Sequence, residues 1–465
     1  MIKGEIADWG DPKISLKMYK RSELGIDFVD QFKQSYSAFQ YNTPYIGQGI
    51  LHLLMGQLPA IKNMRIHIDA NYLDTRFHII WFQAADSGKG RGFNFAGLMC
   101  DQLNLLYTPV LEITDAALIG GHEQVERYDP VKKAKVLEYE ELPGVLTPGI
   151  TNVLAMNEAS VLFNMKPNQN QKHAMDYYQI AMNTMGTKDN ILPKKTLHGG
   201  AISISPDCSL FLSSYIPSRF SEVVATRGFA QRTFNIINNV TSQDRYEAML
   251  HSVKYFNIHR EKVYEDIKEL VSKMRFINNF YKGVSTFESD ESTRRPLANL
   301  VIEIRETVED VGKFHRTKLE EFMHRYQDMS YKLMYHSCCL RLGSKIEEED
   351  VLYARNYLIP VWKNLITYLE ESLTQDIREK SKEIKIEHDV YMAYQKLLDV
   401  GKFNDKDGFI PRPLLKKMLQ LKIWVCSSAT TDKRLKYVEE TGLLERSRIG
   451  KLPTIKAIRK PAEIM

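Results

Sequence analysis

One stretch of the chain concentrates residues that can do chemistry. His78-Ile-Ile-Trp-Phe-Gln-Ala-Ala-Asp-Ser-Gly-Lys-Gly-Arg-Gly-Phe93 is an apolar run that ends in a glycine-rich loop with one lysine, Lys89. Glycines let successive backbone N–H groups turn toward one anion, and a helix starting behind the loop adds its positive end. A lysine in such a loop reaches the outer phosphates of a nucleotide, so Asp86, Ser87, Gly88, Lys89, Gly90 and Arg91 are the candidate nucleotide-binding residues. The loop departs from the spacing G-x-x-x-x-G-K-[ST]: Gln83 stands where the first glycine would be, and Gly90 where a hydroxyl would hold magnesium.

A second segment, Thr151-Asn-Val-Leu-Ala-Met-Asn-Glu158, has buried-strand character and closes on a polar pair. In phosphate-loop NTPases the strand beside the loop ends in an Asp that holds magnesium through water and a Glu that orients the attacking water. Glu158 can fill the second role. Asn157 stands in the first, where its amide oxygen can hold a metal-bound water, since magnesium keeps several of its waters. A third run, Ser209-Leu-Phe-Leu-Ser-Ser-Tyr215, ends in three hydroxyls able to sense a γ-phosphate: Ser213, Ser214 and Tyr215. Arg232 immediately precedes a fourth run, Thr233 to Ile237.

These residues need a scaffold, and the hydrophobic pattern supplies one. Short apolar runs at Arg76–Phe82, Val153–Met156, Ser209–Leu212 and Thr233–Ile237 alternate with helical segments, which predicts an α/β sheet domain. From Gln243 to Ser381 the pattern is long, charged and helical, with a polar break near Phe287–Pro296. The charged segment Arg378–Lys385 predicts a joint to a small last domain. There the sequence predicts a helix over Glu387–Leu398, a second opened by Pro413 and a third capped by Ser427 and Ser428. Two strands near Leu443–Arg446 and Thr454–Ile458 complete a winged helix.

The order of these parts resembles the AAA+ replicative helicases, particularly the minichromosome maintenance proteins and the related phage and viral helicases. Ile113-Thr-Asp-Ala-Ala-Leu-Ile-Gly-Gly121 is similar to that family's Thr-x-x-x-Leu-Thr-Ala segment, and Asp129–Gly144 to its Asp-Pro hairpin insertion. Tyr178–Met185 resembles its His-Glu-Ala-Met-Glu-Gln helix, and Leu192–His198 its pre-sensor hairpin with a DNA-contacting lysine, here Lys194 and Lys195. The resemblance makes Arg232 an arginine finger for a neighbouring subunit's ATP site, and Arg325, or else Lys332, the second sensor of a helical lid. Ser214 takes the first-sensor role, alongside Ser213 and Tyr215.

The resemblance implies a P-loop NTPase (AAA+) core at 61–242 after an N-terminal extension at 1–60, a helical lid and linker at 243–380, and a winged-helix domain at 381–465. It implies ATP and Mg2+ as cofactors, single-stranded or forked DNA and replication proteins as partners, and a homo-hexameric ring. The expected function is an ATP-dependent DNA helicase or translocase for phage, plasmid or virus replication. The alternative is a nucleotide-switched, weakly catalytic or non-catalytic initiator or helicase loader. Lys433, Arg434 and Lys436 on the third helix of the last domain, with Arg446, Arg448 and Lys451 in its wing, are further candidates for DNA contact.

Bulk composition is compatible with this picture. The chain has 465 residues, 43% of them hydrophobic, and a formal charge of +5 that does not by itself demand a nucleic acid. No apolar run approaches the ~20 residues a membrane span needs, and the first residues lack a hydrophobic targeting core, so the expected location is cytoplasmic. Five cysteines without metal-ligand spacing predict reduced thiols rather than a zinc site.

Overall fold

The computed structural model describes residues 19–20, 23–39, 44–83, 88–110, 114–129, 134–159, 173–196, 200–215, 228–238, 240–254, 260–309, 313–400, 408–449 and 452–458. The chain divides into two compact units, residues 1–370 and 371–465. The first unit begins with helices α1 (Ile26–Ser37) and α2 (Pro44–Met55), then the hairpin β1 (Arg65–Ile68) and β2 (Asn71–Asp74). There follow β3 (Ile79–Gln83), α3 (Lys89–Leu103), β4 (Tyr107–Val110), the hairpin β5 (Gly121–Asp129) and β6 (Ala134–Leu142), and β7 (Val153–Met156). Next come α4 (Ala174–Ala181), the hairpin β8 (Leu192–Thr196) and β9 (Gly200–Ile204), then β10 (Ser209–Ser214) and β11 (Phe234–Asn238). The helices α5 (Ser242–Lys254), α6 (Arg260–Phe280), α7 (Arg294–Glu309), α8 (Lys313–Leu340) and the first part of α9 (Glu348–Asp399), which continues into the second unit, complete it.

Five strands form one parallel sheet in the order β11-β3-β10-β7-β4. Every residue of β3, β7 and β10 is buried, as expected of parallel strands covered on both faces. Because the strands run the same way, Gln83, Val110, Met156, Ser214 and Asn238 end along one edge of the sheet. Clefts at the carboxyl ends of such strands are where open α/β sheets bind ligands. The segment containing Glu158 was expected beside the loop strand, but β10 stands between them. Parallel neighbours are joined by long crossovers, so chain order does not dictate spatial order, and β10 inserts between β3 and β7, where all its residues are buried.

Two glycines seat α3 against this sheet. Gly88 has φ of 86°, which turns the chain sharply before the helix starts at Lys89. A Cβ at Gly92 would come within 2.8 Å of the Trp81 ring, so the helix can approach β3 closely only with glycine there. Phe93 then stacks on Phe211 of β10 at 4.2 Å between centroids.

At the amino ends of the strands lies a buried charge cluster. Arg76 is fully buried and donates to Asp74 Oδ2 at 2.8 Å and to the carbonyls of Ala181, Pro206, Cys208 and Asn183 at 3.0, 3.1, 3.2 and 2.5 Å. Lys332 of α8 adds Nζ donation to the Arg76 carbonyl at 2.7 Å and lies 3.5 Å from Asp74 Oδ1. Burial opposes ionisation of Asp74, but the Arg76 and Lys332 charges outweigh it and hold the carboxyl well below its usual range. Replacing Arg76 by Met leaves the Asp74 charge without its closest cation and removes the guanidinium donor from four carbonyls. Breaking a buried ion pair on one side costs about 3–5 kcal/mol. Urea unfolding of Arg76→Met should show a loss of that order, and a change below about 1 kcal/mol, the scale of an exposed pair, would mean that the cluster is not structural.

A second buried network links α2, α8 and α9. The Thr75 carbonyl can only accept, so His336 Nε2 donates to it at 3.0 Å. His336 Nδ1 therefore accepts from His52 Nδ1 at 3.2 Å, His52 Nε2 accepts from the Tyr353 hydroxyl at 2.9 Å, and Gln48 donates to Tyr353 at 3.0 Å. A proton added to His336 Nδ1 would set two N–H groups against each other, and one added to His52 Nε2 would face the Tyr353 O–H that now donates to it. Burial pushes His336 down to about 3, and burial with the facing His336 holds His52 well below the ordinary imidazole range. The unfolded chain takes up these protons below about pH 6.5, whereas the folded chain resists until far lower pH. Stability is therefore fully present above that value and falls on acidification, by up to about 1.4 kcal/mol per pH unit for each ring. Urea midpoints measured from pH 7.5 to 5 should decrease steadily below about pH 6.5; a flat profile would contradict a buried neutral pair.

In the second unit the last turns of α9 precede β12 (Ile410–Pro411), α10 (Arg412–Met418), α11 (Ser428–Glu440), β13 (Leu444–Ile449) and β14 (Leu452–Ala457). The Ser427 hydroxyl caps α11 by accepting from Thr430 N at 3.2 Å. The strands form an antiparallel sheet ordered β12-β14-β13, and Val390, Tyr394, Ile410, Leu415, Leu435, Val438 and Ile455 share its core. Segment 378–385, expected as a joint, is continuous helix within α9. Its Arg, Glu, Lys and Ile residues include strong helix formers and no Gly or Pro to break the helix. Among the described residues no helix is long and apolar enough to cross a membrane.

Candidate functional site

Three strand ends converge on Lys89. The lysine is 6% exposed although it carries a charge. Its Nζ donates to the Gln83 carbonyl at 2.9 Å and lies over the Tyr215 ring at 4.1 Å from the centroid. The Tyr215 hydroxyl in turn donates to Glu158 Oε1 at 3.2 Å. Tyr215 thus connects the lysine of the loop to the carboxylate two strands away. Strands lie about 4.8 Å apart, so β3 and β7 are separated by roughly 10 Å, a gap that Tyr215 spans between Lys89 and Glu158.

The surrounding polar groups hold these ends in register. Gln83 Oε1 accepts from Trp81 Nε1 at 2.8 Å and from Asn238 Nδ2 at 2.7 Å, which ties β3 to the end of β11. Ser213 Oγ donates to the Asn157 carbonyl at 2.5 Å and approaches Asn157 Oδ1 at 3.1 Å, while Ala159 N donates to the Ser213 carbonyl at 2.7 Å. Ser214 is buried at the end of β10. Gly90 faces Asn157: among the described residues, a Cβ built on Gly90 would meet nothing nearer than Asn157 Nδ2, at 3.8 Å. The two positions that depart from the common magnesium pattern are therefore spatial neighbours. Oxygen donors from Asn157, Glu158 and the serines are hard ligands of the type magnesium accepts through its waters, so the residues fit a hydrated ion carried on phosphates. Arg91 is exposed on the first turn of α3, and Asp86 and Ser87 lie outside the described residues.

Arg232 stands elsewhere. It precedes β11, whose Phe234 pairs with Ile79 and whose Asn238 pairs with Gln83, so it lies about 20 Å along the strand direction from the Lys89 end. Its Nε donates to Asn183 Oδ1 at 2.9 Å and Nη1 to the Gly228 carbonyl at 2.9 Å. Burial, and then the charge of Arg325, hold its guanidinium below its ordinary pKa. Arg325 is thus beside Arg232 rather than beside Lys89, in a weak 3.6 Å pair with Asp328. Lys332, the other second-sensor candidate, is committed to the Asp74–Arg76 cluster.

The remaining candidates occupy two other regions. Lys194 and Lys195 lie on β8, opposite Ile202 and Ala201 of β9, and successive strand positions belong to opposite faces. On α11, Lys433 is exposed, Arg434 covers the Trp424 ring at 5.0 Å, and Lys436 lies 3.7 Å from Glu440. Arg448 lies on β13; Lys451 lies outside the described residues.

Sequence reasoning did not single out Gln83 as a link, Asn183 as the acceptor for Arg232, or the ring of Tyr215 as the cover of Lys89. The one local signal was a polar residue closing each apolar run. No family model matches the chain, and no curated protein matches it.

If Tyr215 covers Lys89, removing the ring exposes the amine. Tyr215→Leu should raise acylation of Lys89 by an amine reagent several-fold, measured by peptide mass spectrometry, whereas Tyr215→Phe should change it little. Equal labelling in the wild-type and Leu chains would show that the ring does not shield the lysine.

Proposed function

We propose that the chain is a ring-forming, ATP-dependent DNA helicase or translocase of the AAA+ class, with ATP sites shared between subunits. The observation that carries this reading is the division of the site. Lys89 and Glu158 converge at the carboxyl ends of the strands, while Arg232 and Arg325 stand together at the amino end of β11. An arginine that far from its own phosphate loop serves catalysis only in a neighbour's site. Supporting the ring, α5 exposes Tyr246, Met249, Leu250 and Val253 at 57, 68, 52 and 71% along one helical face, a stripe that assembly would bury.

In this reading Lys89 and the first N–H groups of α3 hold the β- and γ-phosphates. Binding draws the lysine from the Tyr215 ring toward the phosphates. Glu158 orients the attacking water, and the neighbour's Arg232, with Arg325, neutralises charge that develops on the γ-phosphate. Magnesium, held through water by Asn157 and Glu158, would supply further charge neutralisation on the phosphates. Hairpin β8–β9, with Lys194 and Lys195, is the proposed contact with single-stranded DNA. The three helices and basic β13–β14 hairpin of the second unit support a winged helix.

The neighbouring Gly90 and Asn157 favour a second reading, a nucleotide-switched initiator or helicase loader with little or no turnover, because both protein-side magnesium contacts are altered at one place. Forked-duplex displacement with ATP, against Lys89→Ala, separates the two: no unwinding and no turnover would select the second. For the shared site, Arg232→Ala should lower turnover by about a thousandfold while ATP still binds. Mixing Arg232→Ala with Lys89→Ala chains should restore turnover that neither has alone, because some interfaces then combine an intact lysine with an intact arginine. Absence of any recovery would overturn the shared site.

A further inference from the structure

One side-chain amide holds both Arg232 and the foot of hairpin β8–β9. Asn183 follows α4, and each of its polar groups is engaged. Its N–H donates to the Ile180 carbonyl at 3.1 Å, and its carbonyl accepts from Arg76 Nη2 at 2.5 Å, which fixes the backbone on a buried cation. The side chain divides its two ends. Oδ1 accepts from Arg232 Nε at 2.9 Å, and Nδ2 donates to the Asp189 carbonyl at 2.7 Å. A guanidinium N–H can only donate and a carbonyl can only accept, so these partners determine which way the amide faces.

The residues on the nitrogen side lead into the hairpin. Asp189 and Asn190 belong to the turn Lys188–Asn190 before β8. Asn190 is fully buried; its Nδ2 donates to the Ile180 carbonyl at 3.1 Å, and its Oδ1 accepts from Ser205 Oγ at 2.6 Å. Ser205 directly follows β9, and the next carbonyl, Pro206, accepts from Arg76 Nη1 at 3.1 Å. The entry of the hairpin is therefore bonded to residues 180 and 183, and its exit to Asn190 and Arg76.

On the oxygen side, Arg232 has a second anchor, the Gly228 carbonyl, which accepts from Nη1 at 2.9 Å. A guanidinium has five N–H donors, so two bonds fix its plane and leave others for a phosphate. Burial and then Arg325 lower the pKa of Arg232, whereas Asp189 acts the other way. The foot of the hairpin thus reaches the arginine by charge as well as through the amide.

We propose that Asn183 is a positioning residue for Arg232 and transmits displacement of hairpin β8–β9 to it. Energetic coupling can run through contiguous hydrogen-bond networks, and every step from Ser205 to Arg232 is a hydrogen bond or a peptide link. A nucleic-acid strand that moves the hairpin shifts residues 189 and 190, pulls the Asn183 amide from Arg232 Nε and frees that guanidinium for the neighbouring subunit. The inference rests on the proposed reading of the chain as a DNA motor and specifies how the track regulates the shared site.

The test measures labelling of Arg232 by an arginine-selective dicarbonyl, quantified by peptide mass spectrometry on the full chain without nucleotide. Single-stranded DNA is added or withheld, and its binding is followed separately by fluorescence anisotropy. In the wild type, DNA should raise labelling of Arg232 several-fold. Asn183→Ala removes the acceptor and should raise labelling even without DNA. Asn183→Asp keeps an oxygen for Arg232 but loses the donor to residue 189. It should melt, bind DNA and label without DNA as the wild type does, and lose the response to DNA. Ser205→Ala, which leaves every contact of Arg232 in place, should weaken that response. A response of wild-type size in Asn183→Asp, or none in a wild-type chain that binds DNA, would overturn the proposal while leaving the motor reading in place. A wild-type chain that binds no DNA would overturn both.

Discussion

The first unit depends on one buried cation. The Arg76 guanidinium reaches Asp74 at the end of β2, the carbonyls at the end of α4, the exit of hairpin β8–β9 and the entry to β10. A desolvated cation is stable only when surrounded by acceptors, so the carbonyls are fixed in position around it. Asn183, whose carbonyl Arg76 binds, also presents Oδ1 to Arg232. The position of the proposed arginine finger is thereby tied to the buried ion pair rather than left to a surface loop.

The opposite edge of the sheet is organised by hydrogen bonds to side-chain and backbone acceptors. Gln83 links β3 with β11, and Ser213 links β10 with the turn after β7. The ends of these strands are held within reach of one ligand, and Tyr215 spans the gap between Lys89 and Glu158. In the proposed motor this contact keeps the lysine sheltered and the carboxylate occupied until phosphates compete for the lysine. A cation over a ring exchanges readily for a cation on a phosphate, because the ring contact is worth about 0.5–2 kcal/mol and a charged phosphate pairs more strongly.

The elements that the sequence made legible are those whose cause is local. The runs at 79–83, 153–156, 209–214 and 234–238 are short, mostly apolar segments of strand length, with β-branched and aromatic residues concentrated in the first and last, and Ser427 caps α11 because its hydroxyl accepts from the third residue on. Gly88 before Lys89 marked the turn for the same reason. What was not legible depends on partners far away in the chain. Arg76 reads as the start of a strand until the carbonyls of residues 181–208 gather around it. Arg325 reads as a lid residue until α8 brings it beside Arg232. The expected joint at 378–385 is unbroken helix, because charge alone does not interrupt one.

The sequence by itself determined which segments become strands and helices, and which residue types are available at their ends: a lysine after glycine, an Asn-Glu pair, a run of hydroxyls, an arginine before the last strand. Tertiary structure alone decided who faces whom. It inserted β10 between the loop strand and the Glu158 strand, set Gly90 against Asn157, laid Tyr215 over Lys89 and sent Arg232 to the far end of the sheet. The physical reason is that propensity and periodicity act over a few neighbouring residues. Strand order and the pairing of buried polar groups are settled by covering apolar faces and satisfying donors across the whole unit.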